Sequence, residues 1–263
     1  MKIEKHIVSL NFSKGVNTYN SNAIIQNEMS MKLIMILKSK IKNKNYFDNI
    51  LELGCGTGIF TDMLVQNFPN SNFLLTDISS NMINYIMNKY VSNKNYNYIN
   101  CDAETYQFNH KYDLIGSNAV FQWYHDLHKA IQNYNRILNK DGILLFSTYG
   151  EKTYYELKNV FKKIYGENYF IQNFYKYNYI ESILKEFFSD YEIREEIKYQ
   201  YFNSLMEYFK HIKSIGANSA LKDKAILTPN KYKEAEKEYS KKYMDNNGKL
   251  RFTNHLIYVY AKK

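Results

Sequence analysis

Residues 50–60, ILELGCGTGIF, set three glycines at alternate positions directly behind an apolar run. The stretch before them, FDNILEL, is a short run of the kind that makes a buried strand, and IFTDMLVQNF behind them carries apolar residues at helical spacing. Strand, glycine turn and helix in that order predict a seat for a nucleotide-like ligand. Glycine lets the chain take φ > 0 and lets a ligand lie against bare backbone, while the first amides of the helix face it. Gly54, Gly56 and Gly58 read G-x-G-x-G, one residue short of the dinucleotide fingerprint G-x-G-x-x-G, and no G-x-x-x-x-G-K-[ST] loop occurs. A pyrophosphate is therefore not the expected guest.

A ligand with an amino acid end and a nucleoside end fits better. The next strand-like run, NFLLTD, ends at Asp77, placed to bind both hydroxyls of a ribose, with Ile78 after it. A third, YNYINCDAE, carries Asp102 and Ala103, where a carboxylate could accept a hydrogen bond from an adenine amino group. The fourth, YDLIGSNAVFQW, passes from apolar to polar and aromatic residues. Four strands with ligand-type residues at their C-terminal ends, separated by helical stretches, predict a doubly wound α/β sheet with its site at the strand tips.

The chain resembles the class I S-adenosylmethionine-dependent methyltransferases over about residues 46–149. That resemblance implies that the E-x-G-x-G-x-G loop, Glu52 with Gly54, Cys55, Gly56 and Gly58, holds the methionine part of S-adenosyl-L-methionine. It implies a ribose contact at Asp77, with Ile78 and Met82 beside it, an adenine border at Asp102 and Ala103, and a further contact at Asn118.

At 263 residues the chain has room for one α/β core and an appended cap. Two cysteines, Cys55 and Cys101, are too few for a disulfide framework and fit a reducing compartment. No apolar signal-like run opens the sequence and no stretch approaches a membrane span, so the expectation is a soluble cytoplasmic protein with no membrane partner. The net charge of +9 is uneven. Residues 1–45 carry +6, residues 205–243 carry +4 and residues 244–263 carry +3, whereas residues 46–204 carry −4. The excess lies on the flanks, either as solvated lysine-rich helices or as a landing surface for an acidic partner.

After the strand-like GILLFSTYG come helical stretches at 151–166 and 178–188, a strand YEIREEIKYQYF, and a helical excursion through NSLMEYFKHIKSIGANSA and TPNKYKEAEKEYSKKYM. Thr228 and Pro229 are the expected N-cap and first-turn residues of the last helix. NHLIYVYAKK closes the sequence as an alternating strand. The expected organisation is an N-terminal helical lid segment at 1–45, a cofactor-binding core at 46–149, and a helical cap with the last two strands at 150–263. The whole is read as a Rossmann-like, seven-stranded sheet with helices on both faces and a helical lid inserted near the C-terminus.

Four segments narrow the resemblance: NFSKGVNTYNSNAIIQ, SNAVFQW, FSTYGEKTYYEL and IKSIGANS. Together they make the chain similar to the malonyl-acyl-carrier-protein O-methyltransferases of biotin synthesis. Lys14 stands where that family often has Arg, and Thr253-Asn254 where a Thr-Tyr pair is expected. The resemblance implies methyl transfer to the free carboxyl of a malonyl thioester on acyl carrier protein. A carboxylate is already ionised at neutral pH, so the attack needs no general base. Alignment and desolvation remain for the protein. The candidates are Tyr19, Gln122 and Trp123 as catalytic residues, with Lys14 and Lys213 as carboxylate partners.

His125 and His128 form H-x-x-H without the further ligands a zinc site needs, so no metal is expected. A methyltransferase for a free acid such as aconitate and a non-catalytic cofactor-binding assembly protein are the alternatives. Nucleic acid is not an expected partner, because no base-methylase loop or stacking motif accompanies the lysines.

Overall fold

The strand ahead of the glycine loop is β1, Asn49–Leu53, and all but its first residue are buried. The computed structural model describes residues 4–41, 47–91, 93–166, 171–220 and 228–263. The expected boundary at residues 45–46 lies outside the described residues. Ahead of β1 lie two helices, α1 at Lys5–Asn22 and α2 at Ile24–Lys40. Then follow α3 (Ile59–Asn67), β2 (Asn72–Asp77), α4 (Ser80–Lys89), β3 (Tyr96–Asn100), β4 (Tyr112–Asn118), α5 (Leu127–Ile137) and β5 (Leu138–Tyr149). The last part contains α6 (Tyr155–Tyr165), α7 (Tyr177–Phe187), β6 (Asp190–Phe202), α8 (Leu205–Ser214), α9 (Pro229–Tyr243) and β7 (Leu250–Lys262).

The seven strands form one sheet in the order β3-β2-β1-β4-β5-β7-β6. β1 to β5 pair parallel, whereas β7 enters antiparallel between β5 and β6. Because the chain runs outward from β1 on both sides, the crevice beyond the C-terminal ends of β1 and β4 is the topological switch point, where open α/β sheets bind ligands. The helical excursion predicted between the last two strands is α8 and α9, and Thr228 caps α9 by accepting from the Lys231 amide at 3.4 Å, with Pro229 at its start.

Alternation along the strands divides the core. Ile143 and Leu145 of β5 face one side, with Met29 and Leu33 of α2, Phe60 and Leu64 of α3, and Ile86 of α4. Leu144 and Phe146 face the other, with Ile131 and Tyr134 of α5 and Ile180 and Leu184 of α7. Period-two side chains on one strand thus meet helices on both faces, and each fully buried Leu or Ile contributes roughly 1.5–3 kcal/mol. A third apolar cluster, built from Leu157 and Phe161 of α6, Tyr208 and Ile212 of α8, Tyr239 of α9 and Phe252 of β7, sits beyond the tips and takes in Val8 and Trp123. No helix among the described residues is long and apolar enough to cross a membrane.

α1 differs from the other helices in how it is held. It buries only Val8 and Gly15, and polar side chains on successive turns fasten it over the strand tips. Lys5 Nζ donates to both oxygens of Asp102 at 2.6 and 2.7 Å, Ser9 Oγ to the Ile78 carbonyl at 2.9 Å, and Ser13 Oγ lies 2.8 Å from Ser79 Oγ. Spacing of four residues puts all three on one face of the helix.

Candidate active site

The glycine loop leaves β1 in left-handed backbone, with φ of +70° at Gly54 and +54° at Gly56. A Cβ on Gly54 would lie 2.4 Å from Val120, whereas one on Gly56 would meet nothing within 4 Å. The second glycine therefore opens onto a cleft. Gly54 and Gly56 floor it, with Asp77, Ile78 and Met82 on one wall, Asp102 and Ala103 at the end of β3, and Asn118 at the end of β4. Lys5, Val8, Phe12 and Tyr19 of α1 roof it.

Asp77 is 8% exposed, and its two oxygens accept from the Gly56 and Ser79 amides at 2.9 and 2.8 Å. Burial pushes its pKa up to about 6, against the pull of those amides. A carboxylate offers about four lone-pair sites, more than these amides fill, so acceptor capacity is left for a ribose hydroxyl. Asp102 is already engaged by Lys5, which also pairs with Glu104. The Asn118 side chain is spent too: it donates to the Gln26 carbonyl and Ser30 Oγ at 2.9 and 2.8 Å, and accepts from Ser147 Oγ at 2.6 Å.

Glu52, Cys55 and Gly58 stand behind the cleft and do not line it. Cys55 packs into the core beside α2 and α3, and a Cβ on Gly58 would strike Ile86 of α4 at 2.4 Å. Glu52 is 1% exposed, one of its oxygens lacks a partner, and burial raises its pKa to about 8. These three shape the loop from below, an arrangement that the motif's pattern of residue types does not distinguish from direct contact.

A second cavity adjoins the first, and Phe12, Tyr19, Ala119 and Trp123 line both. Its other walls are Ile25 and Gln26 of α2, Gln122, Tyr149, Tyr154, Gln172, Phe174 and Gln200, with His211, Ile212, Ile215, Ala217 and Asn254 on the cap side. Burial holds the Tyr19 hydroxyl well above the usual tyrosine range. Trp123 sits edge-on to Phe12 at 5.7 Å between ring centres, and its Nε1 is buried without a partner. The Gln122 amide donates to the Ala119 carbonyl at 2.6 Å and accepts from Thr148 Oγ1 at 3.1 Å. Among the described residues no Lys, Arg, Asp or Glu lines this cavity, and burial lowers the pKa of His211.

Tyr19, Gln122 and Trp123 thus come together. Lys14 and Lys213, expected as carboxylate partners, correct otherwise: both are exposed, and neither lines either cavity. They lie on the outer faces of α1 and α8, helices joined where Thr18 Oγ1 donates to the Ser214 carbonyl at 2.8 Å. An outward lysine on a surface helix keeps its charge hydrated, whereas an unpaired one in an apolar pocket would be costly. Gln172, Gln200 and His211 escaped the sequence reading, although Lys5, Val8, Phe12 and Tyr19 recur at helical spacing and that period was there to be found. His128 meets Glu186 at 2.8 Å, and no cluster of three or more metal-ligating side chains occurs among the described residues.

Comparison with known proteins agrees with this geometry. The family model described as a methyltransferase domain matches residues 51–146. Over 261 residues the chain is 39% identical to malonyl-[acyl-carrier protein] O-methyltransferase 2 of Ilyobacter polytropus, with 99% of each chain covered. Among solved structures, the YcgJ protein of Bacillus subtilis superposes with a TM-score of 0.61 at 13% identity, covering 89% of this chain and 98% of its own. Haemonchus contortus phosphoethanolamine N-methyltransferase 2, solved in complex with S-adenosyl-L-methionine, gives 0.54 at 20% identity, over 88% of this chain and 52% of its own. The two structural likenesses establish the fold.

Proposed function

The chain belongs to the malonyl-[acyl-carrier protein] O-methyltransferase family, and on that footing we propose that it methylates the free carboxyl of a malonyl group held as a thioester on acyl carrier protein. The observation that carries this reading is the wall shared by the two cavities: Phe12, Tyr19, Ala119 and Trp123 border a nucleoside-type cleft on one side and an uncharged aromatic pocket on the other.

The first cleft fits S-adenosyl-L-methionine. Gly54 and Gly56 offer bare backbone to its amino acid end, Asp77 has open acceptor positions for the ribose hydroxyls, and Ile78, Met82 and Ala103 give apolar surface for the base. Bound there, the cofactor supplies a sulfonium methyl. Its methyl would pass to a carboxylate oxygen of the acceptor, the sulfur keeping the electron pair of the broken bond. No proton moves.

What the residues do is position and desolvate. Trp123 Nε1–H is a buried donor that a malonyl oxygen can satisfy. Tyr19 and Phe12 close the junction from above, so the carboxylate meets the methyl in a site with little water, where its hydration shell is stripped and the two reactants are aligned.

Lys14 and Lys213 belong in this reading to the outer basic rim that receives an acidic carrier. Carrier-protein affinity is expected to weaken steeply as salt rises. A flat salt dependence would remove that role. The decisive assay offers labelled cofactor with malonyl carrier protein, malonyl coenzyme A, free malonate and aconitate, with intact-mass detection. Methyl on the malonyl thioesters is the expected result; methyl on a free acid alone would overturn the acceptor.

A further inference from the structure

Gln172 is 2% exposed and lines the second cavity. Its Nε2 donates to the Gln122 carbonyl at 2.5 Å. A carbonyl only accepts, so this bond fixes which way the amide faces and leaves Oε1 as the free end. That oxygen is buried and has no partner among the described residues. Two residues that line the second cavity therefore carry a buried polar atom without a partner among the described residues, a donor at Trp123 Nε1 and an acceptor at Gln172 Oε1.

Their chemistry is asymmetric with respect to the acceptor proposed above. An ionised malonyl thioester carries a carboxylate and a thioester carbonyl, which are all acceptors, and so it can satisfy Trp123 but not Gln172. The first donor along such a substrate is the amide N–H two methylenes beyond the sulfur, at the end of the pantetheine arm. The Gln122 amide is occupied at both ends, and Gln200 Oε1 already accepts from Asn254 Nδ2 at 3.1 Å.

We propose that Gln172 is a specificity residue that accepts the first amide N–H of the pantetheine arm, so that the enzyme reads the thioester's carrier arm as well as its malonyl head. This rests on the malonyl thioester reading. It gives the site a way to reject free malonate and other small diacids that does not depend on excluding them by size, because such acids leave Oε1 buried and unpaired. A buried acceptor left without its donor costs enough to discriminate by roughly tenfold to a hundredfold.

The test compares two minimal substrates in the wild-type protein: malonyl-S-N-acetylcysteamine, which has the amide, and the malonyl thioester of 2-mercaptoethyl acetate, in which an ester oxygen replaces the N–H. The amide substrate is expected to have a kcat/KM about tenfold to a hundredfold higher, and Gln172→Leu, checked for cofactor affinity and circular dichroism, is expected to bring the ratio near one. Malonyl coenzyme A and malonyl carrier protein share the amide, so both should lose by a similar factor in the variant. Equal rates for the two analogues in the wild type would overturn the proposal without needing any variant, as would an undiminished ratio in Gln172→Leu or a loss confined to the carrier-protein substrate. Wild-type protein that methylates neither analogue nor any malonyl thioester would instead sink the acceptor reading on which the proposal stands.

Discussion

A methyl group added at Gly56 separates the two things a glycine can do in this loop. Gly56 has φ of +54° and Gly248, in the turn ahead of β7, has +75°; at neither would a Cβ meet any atom within 4 Å. Alanine at either site therefore incurs the same backbone strain and no clash with the protein, about 1–2 kcal/mol. For a domain of this size that corresponds to a fall of roughly 2–8 °C in Tm. The open space differs in kind. Beside Gly248 it is solvent, whereas Gly56 lines the cleft proposed for the cofactor and its amide donates to Asp77 at 2.9 Å. Gly56→Ala should then also lose at least about tenfold in affinity for S-adenosylhomocysteine, or about 1.4 kcal/mol, while Gly248→Ala keeps wild-type affinity. Calorimetric melting and isothermal titration on the two variants read both quantities. If Gly56→Ala binds within about threefold of the wild type while melting like Gly248→Ala, the ligand does not lie against this turn, and the reading of the loop fails.

Glu52 predicts a pH dependence. Its buried carboxyl has a folded pKa of about 8 against an ordinary 4.5, so between those values the folded state holds a proton that the unfolded state has released. Stability is thus fully present below the ordinary value and lost as pH rises through the folded one, by an amount on the order of a few kcal/mol. Denaturant titrations from pH 5 to 9 should show that decline, and Glu52→Gln should flatten it; an equal slope in the variant would refute the assignment. Lys5→Met removes the cation shared by Asp102 and Glu104 and should raise amide hydrogen exchange in α1 several-fold while global Tm moves by no more than about 2 °C, since that helix buries little apolar surface. Unchanged exchange would mean the fastening lies elsewhere. Trp123→Phe keeps a ring but loses the unpartnered donor, so kcat/KM for the malonyl thioester should drop about tenfold with cofactor affinity held within about threefold; steady-state kinetics beside a binding titration decide it.

The sheet was legible because its signals are local and periodic. β1, β2 and β4 are short apolar runs closed by turn or ligand-type residues, and the helices between them repeat every three to four positions. The seven-strand count came from the resemblance to class I methyltransferases, but the antiparallel insertion of β7 between β5 and β6 was not read from the sequence, since pairing order is not written in either strand alone. The second cavity was legible in part for an instructive reason. The four segments that carried the narrower resemblance supply Phe12, Tyr19, Ile25, Gln122, Trp123, Tyr149, Tyr154, Ile212 and Ile215 to a single cavity. Gln172 and Gln200 lay outside those segments, and nothing about a glutamine in a loop or on an edge strand announces a pocket. The lysine expectation rested on matching a carboxylate with a cation, and Lys14 and Lys213 stand instead on the outer faces of α1 and α8, where their charges stay hydrated.

The position of β7 bears on how the molecule comes to be made. Its residues pair with β5 from Ile143↔Lys262 to Tyr149↔Leu256, and with β6 along its full length from Asp190↔Lys262 to Phe202↔Leu250. Every other strand of the sheet precedes it in the chain. During synthesis the apolar Ile-Leu-Leu-Phe edge of β5 therefore waits, unpaired, until about a hundred further residues have been translated, which takes several seconds at ribosomal speed. An open apolar edge is a template for pairing with a neighbouring chain, so the nascent protein is exposed to aggregation for that interval, and chaperone demand should concentrate between the completion of β5 and the arrival of β7.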